Sequence, residues 1–212
     1  LGNKFLQHIR EVDAILYLLR DFSDENIIRS GSINPKEDLE ILRMELELAD
    51  LDSKEKINLL AKKPAIVVYN VDEQELGARS QELAISAKLE SELASLTDEE
   101  ARQYLQELGV QKTGLEKVIA AAFEILGLQT FLTAGEKEAR AWTIKRGTLA
   151  PQAAGVIHND FEKHFIKADV VNWEQFVADG GWVKARELGH VRLEGRDYVM
   201  QEGDVVEFKV GV

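Results

Sequence analysis

An α/β unit followed by a smaller α+β unit is the architecture this chain predicts, on three observations. Short apolar runs at 14–20, 64–69 and 83–85 alternate with helical patterns through residue 126. Thr97 with Glu100, and Thr113 with Glu116, are capping boxes, so two of those helices announce their own starts. After Gly127, a plausible helix stop, the pattern changes to period-two strands around a short helix, which places the boundary between units at residues 128 and 129.

Taken in order, LGNKFLQHIREVD reads as a short amphipathic helix opening the chain mid-protein, since no initiating Met precedes Leu1. Ala14 to Arg20 is nearly continuous in apolar character, which predicts a strand buried on both faces of a parallel sheet. Asn34-Pro35 starts a helix, with Asn able to cap and Pro suited to the first helical position. Leu39, Leu42, Leu46 and Ala49 follow as a one-sided stripe. Pro64 to Tyr69 is the clearest strand, and it delivers Asn70, Val71, Asp72 and Glu73 to the sheet's carboxyl edge. Leu83 to Ile85 is a shorter strand that delivers Ser86, Ala87 and Lys88 to the same edge, where open α/β sheets hold ligands. The spacings are tight for these connections, and residues are expected to be missing near 52–64 and near 74–82. The last helix of the unit is expected to bury Leu115, Val118, Ile119, Ala122, Phe123 and Leu126.

In the second unit, alternation over 139–146 puts Trp142 and Ile144 on one face of a strand that Gly147 ends. Pro151 opens a helix whose apolar stripe runs Ala153, Ala154, Ile157, Phe161, Phe165. Asn172 caps a helix expected to turn Trp173, Phe176 and Val177 inward, until Gly180-Gly181 breaks it. Residues 192–199 read as strand, turn and strand, and Val205 to Phe208 closes the sheet. All three tryptophans are expected in the core, with Trp142 also able to stack on a nucleic-acid base.

Charge and composition exclude several classes. No apolar run approaches the roughly 18 residues that span a bilayer, and no cysteine is available for a disulfide or a thiolate metal site, which leads to the expectation of a cytoplasmic chain without a membrane partner. A net charge of −12 opposes general polyanion binding, and no DNA contact is expected. The imbalance is uneven, however: 25 acids face 15 bases in residues 1–128, and 13 face 11 in 129–212. Any RNA contact should come from the second unit. His8, His158, His164 and His190 lack metal-ligand spacing, no nucleophile elbow occurs, and no G-x-x-x-x-G-K-[ST] run cradles phosphates, so catalytic and metal residues are expected to be absent from this chain.

The stretch TAGEKEARAWTIKRGTLAPQAAGVIH, residues 133–158, carries a resemblance. It is similar to the TGS domain, a β-grasp, ubiquitin-like module, that ends the Obg-like ATPases of the YchF family. Asn70-x-x-Glu73 and Ser86-Ala87-Lys88 resemble the two base-recognition motifs of that family. The resemblance implies an incomplete P-loop NTPase, G-domain-like sheet with flanking helices over 1–128, a remnant of a helical insertion near 36–62, and a TGS domain over 129–212. In the family, the segment like LGNKFLQHIREVDAILYLLRDF follows the second nucleotide switch. The phosphate-binding part and the Mg²⁺ ligands are therefore expected upstream of Leu1, and this chain alone is not expected to hydrolyse ATP.

For the base, the resemblance implies Asn70 on its edge, Val71 against the ring, and the backbone of Ser86, Ala87 and Lys88 closing the pocket. Glu73 stands where GTP-specific relatives carry an Asp that accepts from guanine, and Val71 stands in place of their Lys, which implies ATP preferred over GTP. It further implies a molecular switch that contacts the ribosomal large subunit and its RNA, here through Arg140, Lys145, Arg146, His158, Lys163 and Lys167. A second reading is a non-enzymatic module that binds RNA, ribosome or protein on an α/β scaffold.

Overall fold

Three parallel strands, β1 (Ile15–Asp21), β2 (Ala65–Val71) and β3 (Ala84–Ile85), lie side by side in that order. They belong to a computed structural model that describes residues 2–23, 34–51, 59–76, 82–135 and 137–211. The chain divides into two compact units, Leu1–Leu126 and Gly127–Val212. The expectations of missing residues near 52–64 and 74–82 centre on 52–58 and 77–81, which lie outside the described residues.

Parallel pairing aligns the strand ends: Asp21 sits opposite Val71, and Asn70 opposite Ile85. One face of this sheet packs Tyr17 and Leu19 against Leu46 of α2 (Pro35–Leu51), with Leu6 and Ile9 of α1 (Asn3–Glu11) beside them. Asp50 secures the end of α2. Its carboxylate accepts from the Leu60 and Ala61 N–H groups at 3.0 and 2.9 Å, and Arg10 pairs with it at 3.4 Å.

The opposite face corrects two expectations. Leu16 and Leu18 are 45% and 54% exposed, so β1 is an edge strand covered on one face among the described residues. An apolar run makes both faces fit for burial without supplying a cover for each. On α5 (Gly114–Ile125), which packs on β2 and β3, Leu115 and Ile119 are exposed, so the expected continuous buried stripe is only partly covered. Its N-terminus is pinned instead: Glu90 of α3 (Ala87–Leu93) accepts from the Gly114 and Leu115 N–H groups at 2.6 and 3.2 Å. A Cβ at Gly114 would meet Ile85 at 2.7 Å, so the close approach requires glycine. Between these helices α4 (Asp98–Glu107) packs Leu105 on Leu89 and Leu93, and both capping boxes form as read from the sequence.

The second unit is a mixed five-stranded sheet built from β4 (Leu128–Ala134), β5 (Ala139–Lys145), β6 (Phe165–Asn172), β7 (Arg192–Glu194) and β8 (Asp204–Val210). Its order is β5-β4-β8-β6-β7, with β4 and β8 parallel and the other neighbours antiparallel. Across one face lies α6 (Ala150–Ile157), whose Ala153 and Ala154 meet Phe131, Ile144 and Val170 in a buried core. The expected longer helix stops at Ile157, because His158 is extended and caps a separate α7 (Asn159–Lys163); Phe165 belongs to β6. On α8 (Trp173–Asp179) only Phe176 turns inward as expected, its ring edge-on to Trp182 of α9 (Trp182–Glu187) at 5.1 Å. Trp173 and Val177 are 46% and 69% exposed, so neither the inward stripe nor a core place for Trp173 holds.

The contrast within β1 and its partner helix is measurable. Leu46→Ala should cost about 2–5 kcal/mol in urea unfolding, whereas Leu18→Ala should cost less than about 1 kcal/mol. Equal losses would mean that the outer face of β1 is covered after all.

Candidate base-binding site

Two loops meet at the carboxyl edge of the parallel sheet, and one hydrogen bond joins them. Asn70, near the end of β2, turns its Oδ1 to the Ala87 N–H at 2.9 Å. Ala87 is the first residue of α3, so its N–H has no partner within the helix and takes one from a neighbouring strand. Ser86 caps the same helix: it is buried, and its Oγ accepts from the Leu89 N–H at 3.4 Å. Asn70, Ser86 and Ala87 are thereby brought together although 17 residues separate Asn70 from Ala87.

Beside this bond opens a cavity of about 840 Å³, lined by the β2 loop from Asn70 to Glu75, by Ser86, Ala87 and Lys88, and by Phe22 and Ser23. Glu73 lies in a short 3₁₀ turn with its Oε1 3.6 Å from Lys88 Nζ. That is an ion-pair distance but longer than a hydrogen bond, and Oε1 is buried with no hydrogen-bond partner. Lys88 also faces Glu92 at 3.9 Å; Glu92 in turn accepts from the Tyr104 hydroxyl, and its charge raises the Tyr104 pKa. Val71 borders the cavity but is only 2% exposed, so it offers little side-chain surface to a base.

Phe22 and Ser23 are lining residues that reading the sequence missed, and Asp72, placed at this edge by the sequence, was given no partner there. The Ser23 N–H and hydroxyl both donate to Asp72 Oδ2, at 3.1 and 3.2 Å, tying the loop after β1 to the loop after β2. The signal was available in the parallel order, because strands ending in register bring their following residues to one edge. Among the described residues that line the cavity, Asp72, Glu73, Glu75 and Lys88 carry charge.

The six basic residues expected to contact RNA in the second unit do not form one patch. Strand alternation sends Arg140 and Lys145 to opposite faces of β5. Arg140 lies over the Trp142 ring at 4.0 Å, and Trp142 also stacks on Phe131 and donates its Nε1–H to Thr133. One face of that indole meets a core ring and a guanidinium covers it as well, so it is not the free stacking surface the sequence suggested. His158 Nδ1 accepts from the Asp160 N–H at 3.2 Å, and Lys163 faces the Asp160 carboxylate at 3.8 Å, so both serve their own short helix. Lys145, Arg146 and Lys167 are exposed.

A parallel sheet whose loops converge on a cavity at the strands' carboxyl ends defines the class as an α/β nucleotide-binding type of fold, and comparison with known proteins narrows it. Residues 128–211 match the family model YchF-GTPase_C, described as a protein of unknown function (DUF933). The "Ribosome-binding ATPase YchF" of Bacillus subtilis is 38% identical, over all of this chain and 77% of its own length. "Obg-like ATPase 1" of Xenopus laevis is 33% identical over 99% of this chain and 71% of its own. A solved structure, that of the Schizosaccharomyces pombe YchF GTPase, superposes with a TM-score of 0.82 at 27% identity, covering 99% of this chain and 75% of that one. The chain belongs to the YchF/Obg-like ATPase family. Its alignment with the Bacillus subtilis protein runs over 281 positions for a chain of 212 residues, so that relative carries additional residues inside the matched span.

The clasp between the loops can be tested without a ligand. Asn70→Ala should speed hydrogen exchange at the Ala87 amide by about five- to tenfold, the worth of one lost hydrogen bond, while the amides of Val67 and Val68 keep their protection. An unchanged Ala87 rate would show that the loops are held together by something else.

Proposed function

We propose that this chain reads the base of a purine nucleotide, ATP in preference to GTP, as part of a ribosome-associated P-loop ATPase that acts as a molecular switch. The observation that carries the reading is the Asn70–Ala87 hydrogen bond, which holds two base-recognition loops around one cavity. The names of the relatives, ribosome-binding ATPase and Obg-like ATPase, support the wider assignment. A P-loop NTPase reading of residues 1–128 is supported by the parallel order, and a TGS reading of 129–212 by the mixed sheet with α6 across it.

Preference for ATP follows from Glu73. Guanine presents N1–H and a 2-amino group, which an Asp at this position accepts in GTP-specific relatives; here the carboxylate is longer and drawn toward Lys88. Adenine presents neither donor, so nothing is lost when the acceptor is turned aside. Phosphate handling and Mg²⁺ belong to residues outside this chain on this reading. Among the described residues no group of three or more His, Cys, Asp or Glu is placed to hold a metal ion.

Two measurements test this. Titration with fluorescent ATP and GTP analogues should favour ATP, and Glu73→Asp should move the ratio toward GTP by about tenfold, the scale of a hydrogen bond to a charged group. The single substitution is preferable to one that adds Val71→Lys, because Val71 is buried. No change in ratio would remove Glu73 from the site, and failure to bind either analogue by a protein that also carries the phosphate-binding residues would favour the non-enzymatic binding module. For the ribosome, replacing Arg140, Lys145 and Arg146 together by Ala should weaken co-sedimentation and lower the slope of log K against log salt by about 2 or more, roughly one for each cation among them that contacts phosphate. The same affinity and slope would count against the second unit as the contact.

A further inference from the structure

Arg140 lies over an aromatic ring, as Arg186, Arg192 and Arg196 do at 5.2, 5.4 and 5.9 Å, but it differs from them in its polar partners. Arg186 is paired with Asp169 and Glu207, Arg192 with Glu194 and Asp204, and Arg196 donates to the Phe165 carbonyl. Among the described residues no carboxylate pairs with Arg140. Its guanidinium instead lies 4.0 Å over an indole that is fixed from two sides, by Phe131 and by the bond to Thr133. An arginine is usually a flexible cation; here a rigid aromatic floor holds it in place.

Alongside it opens a cleft of about 520 Å³ between the start of β5 and the helices, where Trp142, Ile157, Phe161 and Phe208 are only partly buried. A hydrated phosphate gains nothing from these apolar walls. A planar heterocycle does: it stacks on the outer face of the guanidinium and removes apolar surface from water, and Glu138 on the rim is an acceptor for an exocyclic amine.

From this geometry we infer that Arg140, held on Trp142, is a stacking platform for one unpaired RNA base, so that this position reads a base and not the phosphate backbone. The inference rests on the second unit making the RNA contact and goes beyond it by naming what is recognised. It also separates Arg140 from Lys145 and Arg146, which carry no such floor and act as phosphate contacts.

Fluorescence anisotropy on the full chain tests it, with a 12-nucleotide oligoadenylate and an abasic phosphodiester of the same length as probes. The oligoadenylate should bind about tenfold more tightly than the abasic strand, within the range of one stacked base. Arg140→Lys keeps the charge and loses the plane; it should abolish that preference while leaving abasic affinity and its salt slope unchanged. Equal affinity of the unsubstituted chain for both strands, or a preference that survives Arg140→Lys, overturns the inference. Ribosome binding without affinity for either oligomer overturns it too and hands the cleft to a protein partner. Ribosome binding that withstands the triple substitution overturns the contact reading itself; a weakened triple variant beside an intact Arg140→Lys preference overturns this inference alone.

Discussion

The amide of Ala87 is the group on which the first unit's site depends. As the first N–H of α3 it cannot be satisfied within its own helix, and no water-facing loop takes it: Asn70 of the neighbouring strand does. That one requirement brings the end of β2 and the start of α3 to a common edge and leaves a cavity between the residues that follow. Glu90, one turn further along α3, extends the same logic by accepting the first amides of α5. Two helix starts are thus satisfied by side chains from other elements, and the sheet edge becomes a place of fixed geometry.

Electrostatics then sorts what such an edge can take. Among the described residues the cavity's rim carries three carboxylates and Lys88, so its charge is mixed and its polar groups can flank a neutral ring. In the second unit the cations divide by their surroundings. Arg186 and Arg192 each lie over an aromatic ring and are absorbed into ion pairs, the Arg186 guanidinium held even more firmly protonated by Asp169, whereas Arg140 lies over its ring with no carboxylate partner among the described residues. Sign of charge alone does not distinguish these roles; the carboxylates beside each guanidinium do.

Much of the fold was legible before any coordinates, and the reasons are local. The capping boxes at Thr97 and Thr113, the Asn34-Pro35 start, the strand before Asn70 and the turn at Gly147 each depend on residues within a few positions of one another. Family membership was legible as well, because a long continuous run such as residues 133–158 is specific in itself. The misreadings share a different cause. Periodicity puts Leu115, Ile119 and Val177 on buried faces and an unbroken apolar run does so for Leu16 and Leu18, and either pattern reports which face is apolar, not whether another element arrives to cover it.

The same division holds at the sites. Sequence by itself determined which residues the two loops carry and that both end apolar strands, since strand identity and strand order in the chain are local facts. Only the tertiary structure decided that Asn70 reaches Ala87, that Ser23 joins the rim by donating to Asp72, that Val71 is almost wholly covered, and that Arg140 rests on Trp142 while Lys163 and His158 serve Asp160. Each of those outcomes turns on which groups the folded chain sets beside a side chain, and no window of sequence specifies that, because most of the neighbours lie on other elements.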